Sequence, residues 1–339
     1  MKRQPYFLKA AISVLMLAFI SCGSGDDATI ALSGVYVAGY SANGATLWVD
    51  GAPKRLTDKA TFAQPESVFV SGDNVYVAGT ELYAQGDLLS GIATLWVNNV
   101  PQRLSNSYSE AYSVFASGNN VYVAGYEDNA QGNNVAALWV NGVSQRLSNG
   151  TTNAEAYSVF ASGSDVYVAG EDGGVATLWK NGVPQRLGNG RAYSVFVSGD
   201  NVYVAGYEDN AQGRYVATLW KNGVPERLGD ETTSAYPESV FVSGDDVYVA
   251  GSADAEDWGA YVAVLWVNGV PQRLSYKTSD TAFAKSVFVS GGDVYVAGYE
   301  DIPESNYLIL KPTLWVNGVS KRLSNFGWAN SVFVVPETQ

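Results

Sequence analysis

The sequence predicts an all-β protein: a seven-bladed β-propeller of four-stranded antiparallel blades, closed by its C-terminal strand. Three observations predict it. Four short marks recur seven times in fixed order, helical periodicity is absent after the first 21 residues, and the two ends of the array each hold part of one unit. The string Val-Tyr-Val-Ala-Gly starts at Val35, Val75, Val121, Val166, Val202, Val247 and Val294. A Leu-Trp pair follows each copy, with Trp at 48, 96, 139, 179, 220, 266 and 315, and an Arg-Leu pair comes seven residues later. A Ser-Val-Phe triplet completes the unit, with Ser at 67, 113, 158, 194, 239, 286 and 331.

In chain order, residues 1–21 come first. They carry a basic start, Met1-Lys2-Arg3, and an apolar stretch from Ala10 to Ile20 that is too short to span a bilayer and has the length of a signal peptide. Phe19-Ile20-Ser21-Cys22 resembles a bacterial lipoprotein processing site, although Phe19 departs from the usual aliphatic residue. Gly23-Ser24-Gly25-Asp26-Asp27 is similar to the tract that directs bacteroidete lipoproteins to the cell surface. That resemblance implies lipidation of Cys22, a short tether over 22–34, and an outer-membrane anchor facing the exterior, with the periplasmic face as the alternative. An ordinary secretory signal with an incidental Cys is the plainer reading.

Residues 35–339 then form the propeller, with blades at about 35–56 plus 331–335, 67–104, 113–147, 158–187, 194–228, 239–274 and 286–323. In the second copy, β-branched and aromatic runs bounded by turn residues give strand a at Ser67–Val70, strand b at Val75–Ala78, strand c at Ala93–Val97 and strand d at Val100–Leu104. The c-to-d turn is mostly Asn-Gly, which suits a two-residue hairpin because both central residues need positive φ. Ala28–Gly34 leaves no room for a strand a before Val35, whereas Ser331-Val332-Phe333-Val334 is a strand a with no unit after it. The tail therefore completes the sheet begun by residues 35–56.

This layout, with Gly ending strand b and Trp and Arg later in the unit, resembles kelch-type propellers, which implies the fold and its closure by a C-terminal inner strand. The kelch double Gly is missing; Gly125-Tyr126, Gly206-Tyr207 and Gly298-Tyr299 stand instead. The wording of the repeats also looks like bacteroidete repeat lipoproteins. Hairpin register places Trp96 opposite Pro101 and Thr94 opposite Arg103, so the guanidinium is expected to stack diagonally on the indole. Leu95, Val97, Val100 and Leu104 are expected to pack on the other face.

Composition removes whole classes of chemistry. The chain has no His, and its one Cys and both Met lie at or before position 22. Cys and His nucleophiles, Ser-His-Asp triads, iron–sulfur clusters and His/Cys zinc sites lack their groups, and no cofactor is expected. A formal net charge of −13 argues against a nucleic-acid partner, which needs a basic footprint.

Residues needed seven times hold blades together, so function is sought where copies differ. The variable b-to-c and d-to-a connections share one face, and loops on a rigid scaffold are where binding sites lie. Immediately before each Ser-Val-Phe, at the expected mouth of the axial channel, stand Glu66, Tyr112, Tyr157, Tyr193, Glu238, Lys285 and Asn330. Two residues earlier stand Gln64, Glu110, Glu155, Arg191, Tyr236, Phe283 and Trp328. Aromatics interleaved with charges suit a polyhydroxylated ligand, by stacking and by hydrogen bonding; an ordinary polar rim explains the same residues. Glu81, Glu127, Glu208 and Glu300 recur in the b-to-c loops, and Glu127–Gly132 and Glu208–Gly213 faintly resemble calcium loops, but Leu138 and Leu219 stand where a bidentate Glu belongs. Two function classes follow. One is a surface-tethered, non-catalytic module binding a glycan or protein ligand through Glu66, Tyr112, Tyr157, Tyr193, Glu238, Lys285, Asn330, Arg191, Tyr236 and Trp328. The alternative is a carbohydrate-active enzyme with Glu66 and Glu238 as its carboxylate pair.

Overall fold

The computed structural model describes residues 34–57, 62–85, 88–229, 232–254, 260–275, 281–304 and 307–335. Cys22 and the signal and tether segments lie outside the described residues. Among those described there is no helix, and every strand pairing is antiparallel. The strands form seven four-stranded units, each ordered a-b-c-d from the axis outward. Two units read as one seven-stranded sheet, because the strand Val183–Ser198 serves as d of the fourth unit and, past Gly188 and Gly190, as a of the fifth. The expected loop is absent there since Leu187-Gly188-Asn189-Gly190 is too short to make one.

Closure runs as the sequence predicts. The strand Gly327–Val334 pairs with Val35–Ser41, Val35 opposite Val334 and Ala38 opposite Ser331, so the tail is strand a of the first blade. Inner strands contact their neighbours around the whole circle, the last one reaching the strand Phe62–Ser71 of the second blade.

Two repeated residues explain why the circle holds. Each Ser of Ser-Val-Phe accepts a hydrogen bond from the Val amide of the next blade, Ser67 from Val114 at 3.1 Å and so on to Ser331 from Val68 at 3.1 Å. All seven blade junctions carry this bond. Each is worth about 1 kcal/mol. Two residues farther along strand a, the seven Phe rings form a closed collar with neighbouring centroids 4.6–4.8 Å apart.

Between adjacent blades lie seven apolar clusters, each receiving one Trp from the repeated Leu-Trp pair. Six of these indoles are 0 % exposed and Trp266 is 3 % exposed. No indole face is left for a guanidinium, so the expected Trp–Arg stack does not form. The register that suggested it is correct, Thr94 opposite Arg103 and Trp96 opposite Pro101, but the sheet is flanked by blades rather than by water. In three blades the repeated Arg instead reaches an acidic residue at the end of strand b within its own blade: Arg103 to Glu81 at 3.3 Å, Arg186 to Asp172 at 3.1 Å and Arg227 to Glu208 at 2.6 Å. Val100 is 61 % exposed rather than packed, because strand d is the outer edge. Outside the fourth blade that edge is only four residues long, and in five blades it carries Pro in its second position, which protects it from pairing with another chain.

The plain face is fixed by the c-to-d turns. Asn141 and Gly142 have φ of 51° and 80°, as a two-residue turn requires. The Asn141 carboxamide accepts from the Val121 amide at 2.9 Å and donates to Asn120 at 2.8 Å, tying this turn to the a-to-b turn beside it. On the opposite face the b-to-c connections are not all loops: strands b and c run on as hairpins in the second and seventh blades, to Gln85 opposite Leu88 and Glu304 opposite Tyr307. The first blade between them stops at Ser41 opposite Gly44.

Candidate functional site

The site is built by a backbone irregularity repeated in every blade. Pairing of strands a and b skips one residue of strand a, and the skipped residues are Glu66, Tyr112, Tyr157, Tyr193, Glu238, Lys285 and Asn330. An extra residue in one strand of a pair is a β-bulge, which bends the strand and re-aims its side chains. The Gly ending Val-Tyr-Val-Ala-Gly is its counterpart. A Cβ on Gly125 would overlap the carbonyl oxygen of Glu110, and the same holds for Gly79 against Gln64 and Gly206 against Arg191. The bulge presses a carbonyl onto strand b where only a hydrogen fits.

Seven bulges around an axis place seven variable side chains in one ring, each partly accessible. The ring has two arcs. Tyr112, Tyr157 and Tyr193 stand side by side, with centroids 5.5 and 5.2 Å apart. Opposite them, Lys285 Nζ contacts Glu238 Oε1 at 2.8 Å, and Asn330 Nδ2 donates to Glu66 Oε2 at 2.9 Å and to the Pro65 carbonyl at 3.0 Å. Removal from bulk water pushes the Glu66 carboxyl up to about 8; Lys285 opposes this, while Glu110 and Glu238 add to it. Although partly open to the channel, that carboxyl is surrounded by protein, so it holds its proton at neutral pH. Burial pulls Lys285 down, but Glu238, Tyr299 and Glu66 outweigh it and keep the ammonium charged. The three tyrosines are raised chiefly by burial and stay neutral.

The residues two positions earlier form a wider tier. Glu110 accepts from Tyr112 and Tyr108, both at 2.9 Å; Glu155 accepts from Asn134 at 2.7 Å; Arg191 is held by Glu171 at 2.9 Å. Tyr236 packs among Tyr207, Tyr215 and Tyr261 at 5.4–5.9 Å. Trp328 is not brought into that group: it lies over the first blade, stacked on Tyr40 at 4.8 Å and 13°, so one indole face is already covered. In the tyrosine arc Tyr112 is committed to Glu110 and Tyr193 to Arg191, whereas the Tyr157 hydroxyl is buried without a partner.

Sequence reasoning missed how far the aromatics extend. Ring contacts of 4.6–6.3 Å run continuously from Tyr108 through Tyr126, Tyr112, Tyr157, Tyr193, Tyr207, Tyr215, Tyr236, Tyr261 and Phe283 to Tyr299. Tyr126, Tyr207 and Tyr299 follow the strand-b Gly, and register sets them opposite Glu110, Arg191 and Phe283. That cross-strand pairing was the available signal.

The acidic b-to-c loops serve structure. Asn129 Oδ1 accepts the Gln131 and Asn133 amides and Asn210 Oδ1 those of Gln212 and Arg214, at 2.9–3.0 Å, so these two amide oxygens face their own backbone. Among the described residues no group of three or more carboxylates has the spacing of a metal site.

No protein-family model matches the chain, and no curated protein matches it in sequence. Among solved structures it is similar to YjhT, at 11 % identity and a TM-score of 0.43, covering 76 % of this chain and 96 % of that one. It is also similar to a puromycin-hydrolyzing peptidase of Mycobacterium tuberculosis, at 10 % identity and a TM-score of 0.54, over 86 % of this chain and 53 % of that one. An acylaminoacyl peptidase of Pyrococcus horikoshii matches at 13 % identity and a TM-score of 0.45, over 77 % of this chain and 46 % of that one. The chain thus spans about half the length of the two peptidases. The likeness to the mycobacterial peptidase supports the β-propeller fold.

Proposed function

We propose that this chain is a non-catalytic binding module that takes a glycan at the axial mouth of its loop-bearing face, tethered to a bacterial outer membrane through Cys22. The observation that carries this reading is the bulge ring: seven identical backbone devices present seven side chains of four kinds to one point, three adjacent tyrosines facing two carboxyls, a Lys and an Asn. Aromatic faces stack on sugar rings, and carboxylates accept from hydroxyls. The tether is supported by the signal and processing pattern of residues 1–27. A protein loop is the competing ligand.

The test is a glycan array probed with the purified chain and with Tyr157→Ala. Capture by the parent and its loss in the variant, at unchanged melting temperature, is the expected result; equal capture by both moves the site elsewhere. One observation favours a second reading, a carbohydrate-active enzyme: Glu66 is held protonated at neutral pH with Glu238 in the same ring, the division of labour an acid and its partner carboxylate need. Sugar release from any array hit, abolished in Glu66→Gln with binding retained, would establish it in place of pure binding.

A further inference from the structure

We propose that the mouth is a blind socket that takes the free end of a sugar chain, inserted along the axis, and that the terminal unit it takes carries no anionic group. This rests on the glycan reading above and adds which part of a glycan is recognised.

The floor of the socket is the phenylalanine collar. Neighbouring rings are inclined by 39–57°, scattered about a seventh of a full turn, so the ring planes run along the axis. With centroids at most 4.8 Å apart, rings meeting edge to edge would overlap; they stand as radial fins with edges toward the centre. A heptagon with 4.8 Å sides has a radius of about 5.5 Å, and a phenyl ring reaches about 3.2 Å in its own plane to its van der Waals surface. The remaining bore has a radius of about 2 Å, which passes water and stops a hexose.

The bulge ring lies three residues up strand a from this collar, about 10 Å at the rise of a strand. Its wall is closed all round just below the ring and bridged at four of the seven junctions within it. One residue below, the serine-to-amide bonds close all seven junctions at 3.0–3.2 Å. In the ring itself, Tyr112 meets Tyr157, Tyr157 meets Tyr193, Glu238 meets Lys285 and Asn330 meets Glu66. A segment from the middle of a chain needs two ways out of the level where it binds; a chain end needs one.

Charge sets the second half. Among the described residues of the bulge ring and the tier above it, the two cations, Lys285 and Arg191, are each ion-paired, while Glu110 and Glu155 are met by neutral donors. A uronate or sulfate would enter a site rich in acceptors whose ammonium and guanidinium are already engaged, at a cost in repulsion and desolvation.

The experiment measures the full chain by calorimetry against glucose, galactose, mannose, N-acetylglucosamine and glucuronic acid, and against linear oligomers of two to six units of each. The expected result is that one neutral monosaccharide binds within about tenfold of its own hexamer and displaces it, and that glucuronic acid does not bind. A hexamer bound more than about a hundredfold tighter than a monomer that fails to displace it overturns the socket and leaves the glycan reading standing. Preference for glucuronic acid overturns the charge argument, and no binding to any sugar overturns both readings.

Discussion

Replacing Glu66 by Gln removes one proton-binding group from the channel mouth while keeping its shape and its bond from Asn330. In the unfolded chain this carboxyl ionises near its ordinary value of 4.5, whereas in the folded protein it holds its proton to about 8. Between those values the native state binds more protons than the unfolded one, so stability falls as pH rises from about 4.5 to about 8 and is flat beyond. At about 1.4 kcal/mol per unit the full loss is ~5 kcal/mol, and water in the channel reduces it to about 2–5 kcal/mol. The neutral amide of the Glu66→Gln variant cannot ionise and escapes this loss. At about 2 °C per kcal/mol for a chain of this size, Glu66→Gln melts about 4–10 °C above the parent at pH 9 and level with it at pH 4. Circular-dichroism melts of both proteins from pH 4 to 9 at fixed ionic strength measure the difference directly. Parallel curves, or a variant less stable at pH 9, would refute the assignment of a protonated Glu66.

Four further outcomes follow from the packing. Gly125→Ala drives a methyl into the Glu110 carbonyl and costs at least about 3 kcal/mol, while Gly118→Ala, in an open turn at φ 58°, costs about 1–2 kcal/mol; thermal melts rank them. Ser113→Ala leaves the Val159 amide without its acceptor and lowers stability by about 1–3 kcal/mol in denaturant titration. Removing residues 327–339 exposes the inner edge of the first blade, and gel filtration should find aggregate where the parent gives a discrete peak. Arg103→Gln changes stability by less than about 1 kcal/mol, because its partner Glu81 is reached from an exposed guanidinium.

The fold was legible because local signals agreed with one another. Asn-Gly turns, β-branched runs and a tail lacking its own unit all pointed to one closed ring, and each is a short-range property. What the sequence concealed depends on neighbours. Trp and Arg seven residues apart share one face of a hairpin, as register requires, but only the ring reveals that this face is buried against the next blade. The bulge at Glu66 and its six equivalents leaves no mark of its own. It can be read backwards from the repeated Gly, which tolerates the carbonyl pressed onto it, but that inference needs the pairing of strands a and b. The ring position of the candidate residues was readable from their place before Ser-Val-Phe; the tyrosine belt was not, since Tyr207 and Tyr236 meet only across a blade junction.

The serine girdle and the bulges share a property that bears on how such a module diversifies. Both are secured by main-chain groups and by the repeated Ser and Gly, so the side chains at the seven bulge positions are not what closes the ring. A codon change at 157 alters the side chain shown at the mouth while leaving the serine bond and the bulge of its blade in place. The seven dials are not all free: Lys285 is tied to Glu238 and Asn330 to Glu66, so those four change in pairs, while the tyrosine arc can be altered one residue at a time.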